Sequence, residues 1–231
     1  MDESFADIKP ASLVMYEDED VLVINKPAGI SMHKTAADDP NVTIRDLYAN
    51  KLAQNDPIRG GIVHRLDKDT SGVVIMAKNN QAMEFLQKQF AARKVEKDYL
   101  ALVWGHLKHA KARIELPIRR STKAPNQVSI HQSGKMSISE YRIEHEYDQY
   151  SLVQIQLQTG RMHQIRVQFA HIGHPVVGDK MYGNKPLPAG LGRQFLHAKR
   201  LGLMLPGTTT KRFFEAPLAE DLKQFLETIN V

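Results

Sequence analysis

Apolar residues recur at every second position in several short stretches of this 231-residue chain, which is the periodicity of a β-strand. The clearest case is 151–158, where Val153, Ile155 and Leu157 alternate with polar residues. The predicted strands, most of which end at turn-forming residues, are Val14–Tyr16, Val21–Asn25, Val73–Ala77, Tyr99–Trp104, Ser139–His145, Ser151–Gln158, Phe195–Leu201 and Lys211–Glu215. Residues 106–135, which are rich in Lys, Pro and Arg, are expected to form hairpins with mobile loops.

Other segments place apolar residues three and four positions apart, as one face of a helix requires. The predicted helices are Thr43–Gln54, Gln81–Ala92, Met162–His171 and a C-terminal helix over 222–229. Strands outnumber helices and are mostly joined by short turns. This order favours an α+β fold with a mixed, mainly antiparallel sheet and flanking helices over a doubly wound parallel sheet. No repeat or linker interrupts the pattern, so we expect residues 1–231 to form a single domain, as one body or as two lobes around a shared sheet.

Composition and charge narrow the class of protein. Cysteine is absent, which excludes disulfides, thiol nucleophiles and Cys-ligated zinc. The net charge is +5, but residues 1–40 hold 3 basic and 9 acidic side chains, whereas residues 41–212 hold 27 and 13. A basic body favours a polyanionic partner such as nucleic acid, although a solvated surface with a mild basic bias explains it equally well. No apolar run approaches the ~20 residues of a membrane span, and the polar N-terminus is unlike a signal peptide, so we expect a cytoplasmic protein.

The densest polar segment is GIVHRLDKDTSG, which spans residues 61–72 between two apolar stretches. Asp67 lies there among His64, Arg65 and Lys68, and neighbouring cations favour the ionised form of a carboxyl group. Such a carboxylate could act as a nucleophile, a base or a ligand. The alternative is that the polar residues merely close a turn that Asp67 caps.

The segment HRLDKDTSG strongly resembles the catalytic loop of the RluA-like RNA pseudouridine synthases. Further segments resemble that family's motifs in the same order, and they are Tyr16–Glu19, Val23–Gly29, Lys97–Gly105, Thr159–Arg166, His174–Asp179 and Leu196–Ala198. Several long motifs in order are specific, and together they cover about 14–217. The resemblance implies one catalytic domain with a central cleft, isomerisation of uridine to pseudouridine in structured RNA, and no metal, nucleotide or redox cofactor.

The resemblance also assigns catalytic roles to Asp67, Tyr99 and Arg166. Asp67 would be the essential aspartate, which attacks the sugar or the base or acts through a glycal intermediate. Tyr99 would stack on the target uracil and could move a proton. Arg166 would pair with Asp67 and hold it charged, a task for which a bidentate guanidinium is well suited. From the residues alone, Tyr99 could equally be a tyrosine of the sheet core, and Arg166 a surface arginine on a helix.

A target uridine in folded RNA must leave its stack before Asp67 can reach it. The resemblance indicates that Arg65 fills the vacated position, with simple phosphate contact as the alternative. The other residues predicted to bind RNA are His64, Arg161, His163 and Gln164, and the more general basic candidates are Arg119, Arg120, Lys123 and the run Arg93–Lys97. Gln168 stands where the resemblance leads us to expect a histidine, which puts a role for that position in doubt.

The motifs begin close to the N-terminus, so we expect no small N-terminal RNA-binding domain, and substrate choice then depends on the catalytic domain. We favour transfer RNA as the substrate, with ribosomal RNA or both as open alternatives, and we expect a monomer. Two other classes of function remain. One is a non-catalytic RNA-binding or RNA-folding protein. The other is a small-molecule hydrolase using Asp67, for which the chain lacks a clear second base.

Overall fold

A computed structural model describes residues 9–34, 40–54, 59–122, 124 and 126–229. These residues form two compact units, one within 1–96 and 198–217 and the other within 97–197 and 218–231. In chain order the strands β1 to β10 are Val14–Glu17, Val21–Lys26, Ser71–Ala77, Glu96–Trp104, Lys111–Arg120, Val128–Ile130, Lys135–Glu146, Tyr150–Leu157, Leu196–Met204 and Lys211–Glu215. The helices α1 to α4 are Ile44–Leu47, Asn80–Ala91, Gln164–His171 and Glu220–Ile229. Within these described ranges, none of the helices is long and apolar enough to cross a membrane.

The first unit is organised by two strands that are almost entirely buried. Strand β2 pairs antiparallel with β1 on one side and β3 on the other, and the order continues through β9, which also pairs with β10. Every residue of β3 is buried, as is the run Val21–Ile24 of β2. Helix α2 begins where the Asn79 side chain accepts the Ala82 N–H at 2.9 Å. Burying each large aliphatic side chain contributes about 1.5–3 kcal/mol to the free energy of folding, so these strands are a stable support for the loops that connect them.

The second unit contains the strand order β4-β8-β7-β5-β6, with antiparallel pairs throughout. Buried and partly exposed residues alternate along β8, as the sequence periodicity predicts. Ile165 and Phe169 of α3 pack into the core cluster that the inward-facing residues of this sheet form. Leu222 and Phe225 of α4 belong to a second cluster. Because α3 is packed closely on its sheet, its polar side chains need partners inside the protein.

The predicted α+β class with mostly antiparallel pairing is confirmed, and so are the predicted strands and the hairpins within 106–135. The helix predicted over Thr43–Gln54 is wrong in length, because the structure has only Ile44–Leu47. Thr43 caps the helix, which ends at Tyr48, where φ is −119°. The Tyr48 hydroxyl donates to the carbonyl of Pro10, and the Gln54 amide donates to the carbonyl of Leu52. These side-chain bonds hold residues 48–51, which follow the helix, in a turn.

Candidate active site

The segment around Asp67 is anchored at both ends by glycines with positive φ. Gly61 has φ 75°, and a Cβ there would lie 2.6 Å from the carbonyl oxygen of Ala77. Gly72 has φ 117°, and a Cβ would lie 2.2 Å from the carbonyl oxygen of Ala198. Only glycine permits both the backbone conformation and the close approach. The two ends of the loop are therefore pressed directly against the sheet of the first unit.

The middle of the loop is held by the buried side chain of Lys26. Its Nζ donates to the carbonyls of Pro27 at 2.7 Å, Ile30 at 2.8 Å and Lys68 at 3.0 Å. The N–H of Gly29 donates to the same Lys68 carbonyl at 2.9 Å. A hydrogen bond from a charged group contributes about 1.5–3 kcal/mol, more than a neutral one. The N-terminal motif and the Asp67 loop, which are distant in sequence, thus form one structural element.

Within the loop, burial alternates between neighbouring residues. Leu66 is buried, whereas Arg65 is exposed and Asp67 is partly exposed. The carbonyl of Asp67 accepts the N–H of Thr70 at 3.1 Å. The predicted turn is therefore present, and the backbone of Asp67 takes part in it.

His64 contacts the sheet through its imidazole ring. The N–H of Ile75 donates to Nε2 at 3.0 Å, and the ring stacks on Phe90 with centroids 4.8 Å apart. A neutral ring that accepts at Nε2 carries its proton on Nδ1. These contacts fix the start of the loop on β3. The contact of His64 with RNA stays a prediction, and so does that of the exposed Arg65.

Tyr99 lies in β4 opposite Ile155 of β8. Its ring packs against the core cluster of the second unit and remains partly exposed. It is thus a sheet tyrosine with part of its surface accessible, which is compatible with both interpretations of the sequence. Its catalytic role stays a prediction.

Arg166 is buried, so the interpretation of a surface arginine is wrong. Its Nε and Nη2 donate to Oδ2 and Oδ1 of Asp179 at 2.7 and 2.9 Å, and its Cζ lies 5.2 Å from the ring centroid of Tyr182. Burial pushes the pKa of Asp179 upward, but the guanidinium and the N–H groups of Met181 and Tyr182 outweigh burial, so the pKa lies below its ordinary value. The predicted pairing of Arg166 with Asp67 stays a prediction.

The three other predicted RNA-binding residues lie just before α3 or at its start. Arg161 is exposed, whereas Gln164 is buried. The Gln164 Oε1 accepts from the Thr159 hydroxyl at 2.8 Å, and its Nε2 donates to the Ile138 carbonyl at 3.1 Å. His163 has φ 52°, and its Nδ1 is hydrogen-bonded within the protein, at 2.9 Å from the hydroxyl of Tyr182. RNA contact stays a prediction for all three, and only Arg161 is exposed.

Gln168 lies where the sequence analysis expected a histidine, and it is fully buried. Its Oε1 accepts from the Ser139 hydroxyl at 2.6 Å, and its Nε2 donates to the Ser137 carbonyl at 2.9 Å. The amide therefore binds α3 to β7.

The general basic candidates are spread over both units. Arg93 follows α2 with φ 57° and is exposed, as is Arg120 in β5. Arg119 donates to the Ser133 hydroxyl at 3.1 Å. Lys123 lies outside the described residues. Among the residues that are described, no three His, Asp or Glu side chains are grouped as the ligands of a metal ion would be.

Two residues of the site were not singled out from the sequence. They are Lys26, which holds the Asp67 loop, and Asp179, which binds Arg166. Both lie in segments that resemble family motifs, so the signal was present. Their partners are set by tertiary structure, which residue spacing does not reveal.

Comparison with known proteins bears on the family of this chain. Residues 20–171 match the family model for RNA pseudouridylate synthase. The chain is 37% identical over 219 residues to an uncharacterized RNA pseudouridine synthase, YlyB, of Bacillus subtilis, covering 94% of this chain and 72% of that protein. It is 35% identical over 228 residues to ribosomal large subunit pseudouridine synthase D of Yersinia pestis, covering 94% and 70%.

Solved structures also resemble this fold. Human RNA pseudouridylate synthase domain containing 1 superposes with a TM-score of 0.70 at 27% identity, covering 94% of each chain. Human RNA pseudouridylate synthase domain containing 4 superposes with a TM-score of 0.74 at 21% identity, covering 96% of this chain and 95% of that one. The extended family match and the close relatives agree, and the chain therefore belongs to the RNA pseudouridine synthases, isomerases that act on RNA.

Proposed function

We propose that Asp67 is the catalytic aspartate of this synthase. The observation that carries the proposal is the anchoring of its loop, in which two glycines and the Lys26 ammonium hold the backbone while Asp67 stays partly exposed. A catalytic group has to be held close to its productive geometry, and a rigid loop on a buried sheet meets that need. We propose that Tyr99 and Arg166 also take part in the reaction, as the resemblance to the family implies.

The reaction is an isomerisation, so the composition of the nucleotide does not change. The bond between sugar C1′ and base N1 breaks, the base rotates, and a bond forms between C1′ and C5. The proton of C5 is released, and N1 acquires a proton. Asp67 acts on the sugar or the base during this exchange, and no external oxidant or reductant is needed.

We propose that the target uridine is flipped out of folded RNA and that Arg65 occupies its place. Unstacking a base costs a few kcal/mol, so a planar cation that replaces it lowers that cost. Arg65 is exposed next to Asp67, as this role requires. A side chain that only contacts phosphate would act on folded and unfolded RNA alike.

The Arg65→Ala variant tests this role. On folded RNA we expect kcat/KM to fall about 10- to 100-fold, because flipping loses a compensating contact. On a short unstructured RNA the loss should stay below about 3-fold, because no stack has to be opened. Lys68→Ala, which removes another exposed cation of the same loop, is the control. Equal losses for Arg65→Ala on both RNAs would show phosphate contact instead.

The substrate RNA is proposed from the relatives. A protein that is 35% identical is named as acting on the large ribosomal subunit. This supports ribosomal RNA as the substrate, ahead of the transfer RNA favoured from the sequence. We expect cells that lack the protein to lose pseudouridine at one or more large-subunit positions, which mapping across all RNAs would reveal. Loss confined to transfer RNA would overturn the ribosomal proposal.

The activity itself is tested with RNA that carries tritium at uridine C5. Because C5 gives up its hydrogen when it joins the sugar, turnover releases tritium to water. We expect release from ribosomal RNA transcripts with the purified protein alone. Total RNA from a strain that lacks the protein carries unmodified target uridines. If the purified protein releases no tritium from such RNA labelled at uridine C5, the proposed function is contradicted.

A further inference from the structure

Arg166 is contacted by two residues of one tight turn, residues 179–183. The N–H of Gly183 donates to the carbonyl of Asp179 at 3.0 Å, and a Cβ at Gly183 would lie 2.3 Å from that oxygen. The Asp179 Oδ1 accepts the N–H groups of Met181 and Tyr182 at 2.9 and 3.1 Å. The backbone of the turn thus fixes the orientation of the Asp179 carboxylate.

The carboxylate fixes the guanidinium in turn. A guanidinium is planar, and two parallel bonds to one carboxylate define both its direction and its plane. Asp179 occupies Nε and Nη2, so it determines where the third nitrogen, Nη1, points. The ring of Tyr182, 5.2 Å from Cζ, limits rotation out of that plane.

The position of the Tyr182 ring is itself determined by two other elements. Its hydroxyl accepts the N–H of Val128, the first residue of β6, at 2.9 Å. The same hydroxyl lies 2.9 Å from Nδ1 of His163, the residue that precedes α3. Both bonds end on the hydroxyl, so they fix that end of the ring to β6 and to the residue before α3.

We propose that Asp179 and Tyr182 are positioning residues that act through Arg166 in the pseudouridine synthase reaction. The inference rests on the proposed function, in which Arg166 takes part in catalysis. The competing explanation is that the ion pair only stabilises the fold. The chain offers a second bidentate pair for comparison, because Nε and Nη2 of the buried Arg193 donate to the exposed Asp221 at 2.7 and 2.8 Å in the same unit.

The first experiment compares Asp179→Asn with Asp221→Asn in the full chain. Each change removes the charge and one acceptor from a bidentate arginine pair. We expect Asp179→Asn to lower kcat at least about 10-fold with KM for RNA changed less than about 3-fold, because small misplacements of a catalytic group are costly. Asp221→Asn should lower the melting temperature without lowering kcat measured well below that temperature. Equal kcat values for the two variants would overturn the proposal.

The second experiment is a double-mutant cycle with Arg166→Lys, which lacks the planar fork. If Asp179 acts through Arg166, adding Asp179→Asn to Arg166→Lys should lower kcat less than about 2-fold further. Independent, multiplicative losses would contradict the proposal.

Tyr182 provides a test that does not depend on the folding of Asp179→Asn. Tyr182→Leu removes the ring over the guanidinium, whereas Tyr182→Phe keeps the ring and removes the hydroxyl. We expect kcat to fall about 10-fold in Tyr182→Leu and by a clearly smaller factor in Tyr182→Phe, because Phe keeps the ring over the guanidinium and loses only the hydroxyl bonds that hold it. An equal loss of kcat in both variants would contradict the proposal that the ring of Tyr182 positions Arg166.

The proposed function and the inference fail in distinguishable ways. A wild-type protein that releases no tritium overturns both. An active wild-type protein in which Asp179→Asn keeps its kcat overturns only the inference.

Discussion

Asp67→Asn should lower pseudouridine formation by at least about 10³-fold, because loss of a catalytic nucleophile typically costs that much or more. The amide has nearly the same shape as the carboxylate, but it is neutral and a poor nucleophile. The fold should be largely unaffected, because the backbone of the loop is held by its glycines and by Lys26. Tritium release measures the rate, and circular dichroism melting measures the fold.

The matched control for this variant is Asp69→Asn in the same loop. It removes an equal charge two residues away. We expect the rate of pseudouridine formation to fall less than about 10-fold, because a turn residue contributes chiefly to local stability. If Asp67→Asn keeps more than a tenth of the wild-type rate, the assignment of Asp67 is wrong. If it loses activity but still assists RNA folding, the protein also has a non-catalytic role.

Lys26→Met should both destabilise the protein and disable the Asp67 loop. The change removes the ammonium donor from the carbonyls of Pro27, Ile30 and Lys68, of which the Lys68 carbonyl keeps the N–H of Gly29. Each buried acceptor left without a partner costs about 1–3 kcal/mol, offset in part because no charge is buried any longer, so we expect a net loss of about 2–4 kcal/mol. The melting temperature should fall roughly 5–15 °C.

Activity should fall further than stability alone explains. Displacement of the loop by about 1 Å misplaces Asp67, and such a shift can reduce kcat by about 10²-fold. Lys51→Met is the control, because Lys51 is an exposed lysine paired with Glu17 at 2.8 Å, and a surface pair contributes about 0–1 kcal/mol. A Lys26→Met protein that melts within a degree of the wild type would refute a structural role for the ammonium.

The strands were predictable because each has a local cause. Period-two alternation specifies β8, and continuous apolar runs specify the buried strands β2 and β3. The helix after Thr43 was not predictable in length. Its apolar spacing continues to Leu52, yet a bond from Tyr48 to a carbonyl 38 residues earlier helps to hold the chain in a turn. Helix propensity is a weak preference that such tertiary contacts override.

The polar residues of α3 illustrate how far function can be predicted from the sequence. Gln164 and Gln168 lie in or near a segment that resembles a family motif, so contact with RNA was a reasonable prediction for Gln164. Residues 164–169 are all buried, however, and both amides bind the sheet beneath the helix. Residue spacing alone does not reveal that residues 164–169 are covered on every side.

Local residue patterns were sufficient to indicate the α+β class, and the resemblance of ordered motifs indicated the family and the aspartate on which catalysis is proposed to depend. Both signals are carried by residues that are close together in the chain. The partners of the charged groups were decided only in three dimensions. Lys26 bonds to a carbonyl 42 residues away, and Arg166 binds Asp179 across a turn. A buried charge must find a partner with favourable geometry. Which partner lies within 3 Å depends on how strands and turns pack, and residue order alone does not specify that.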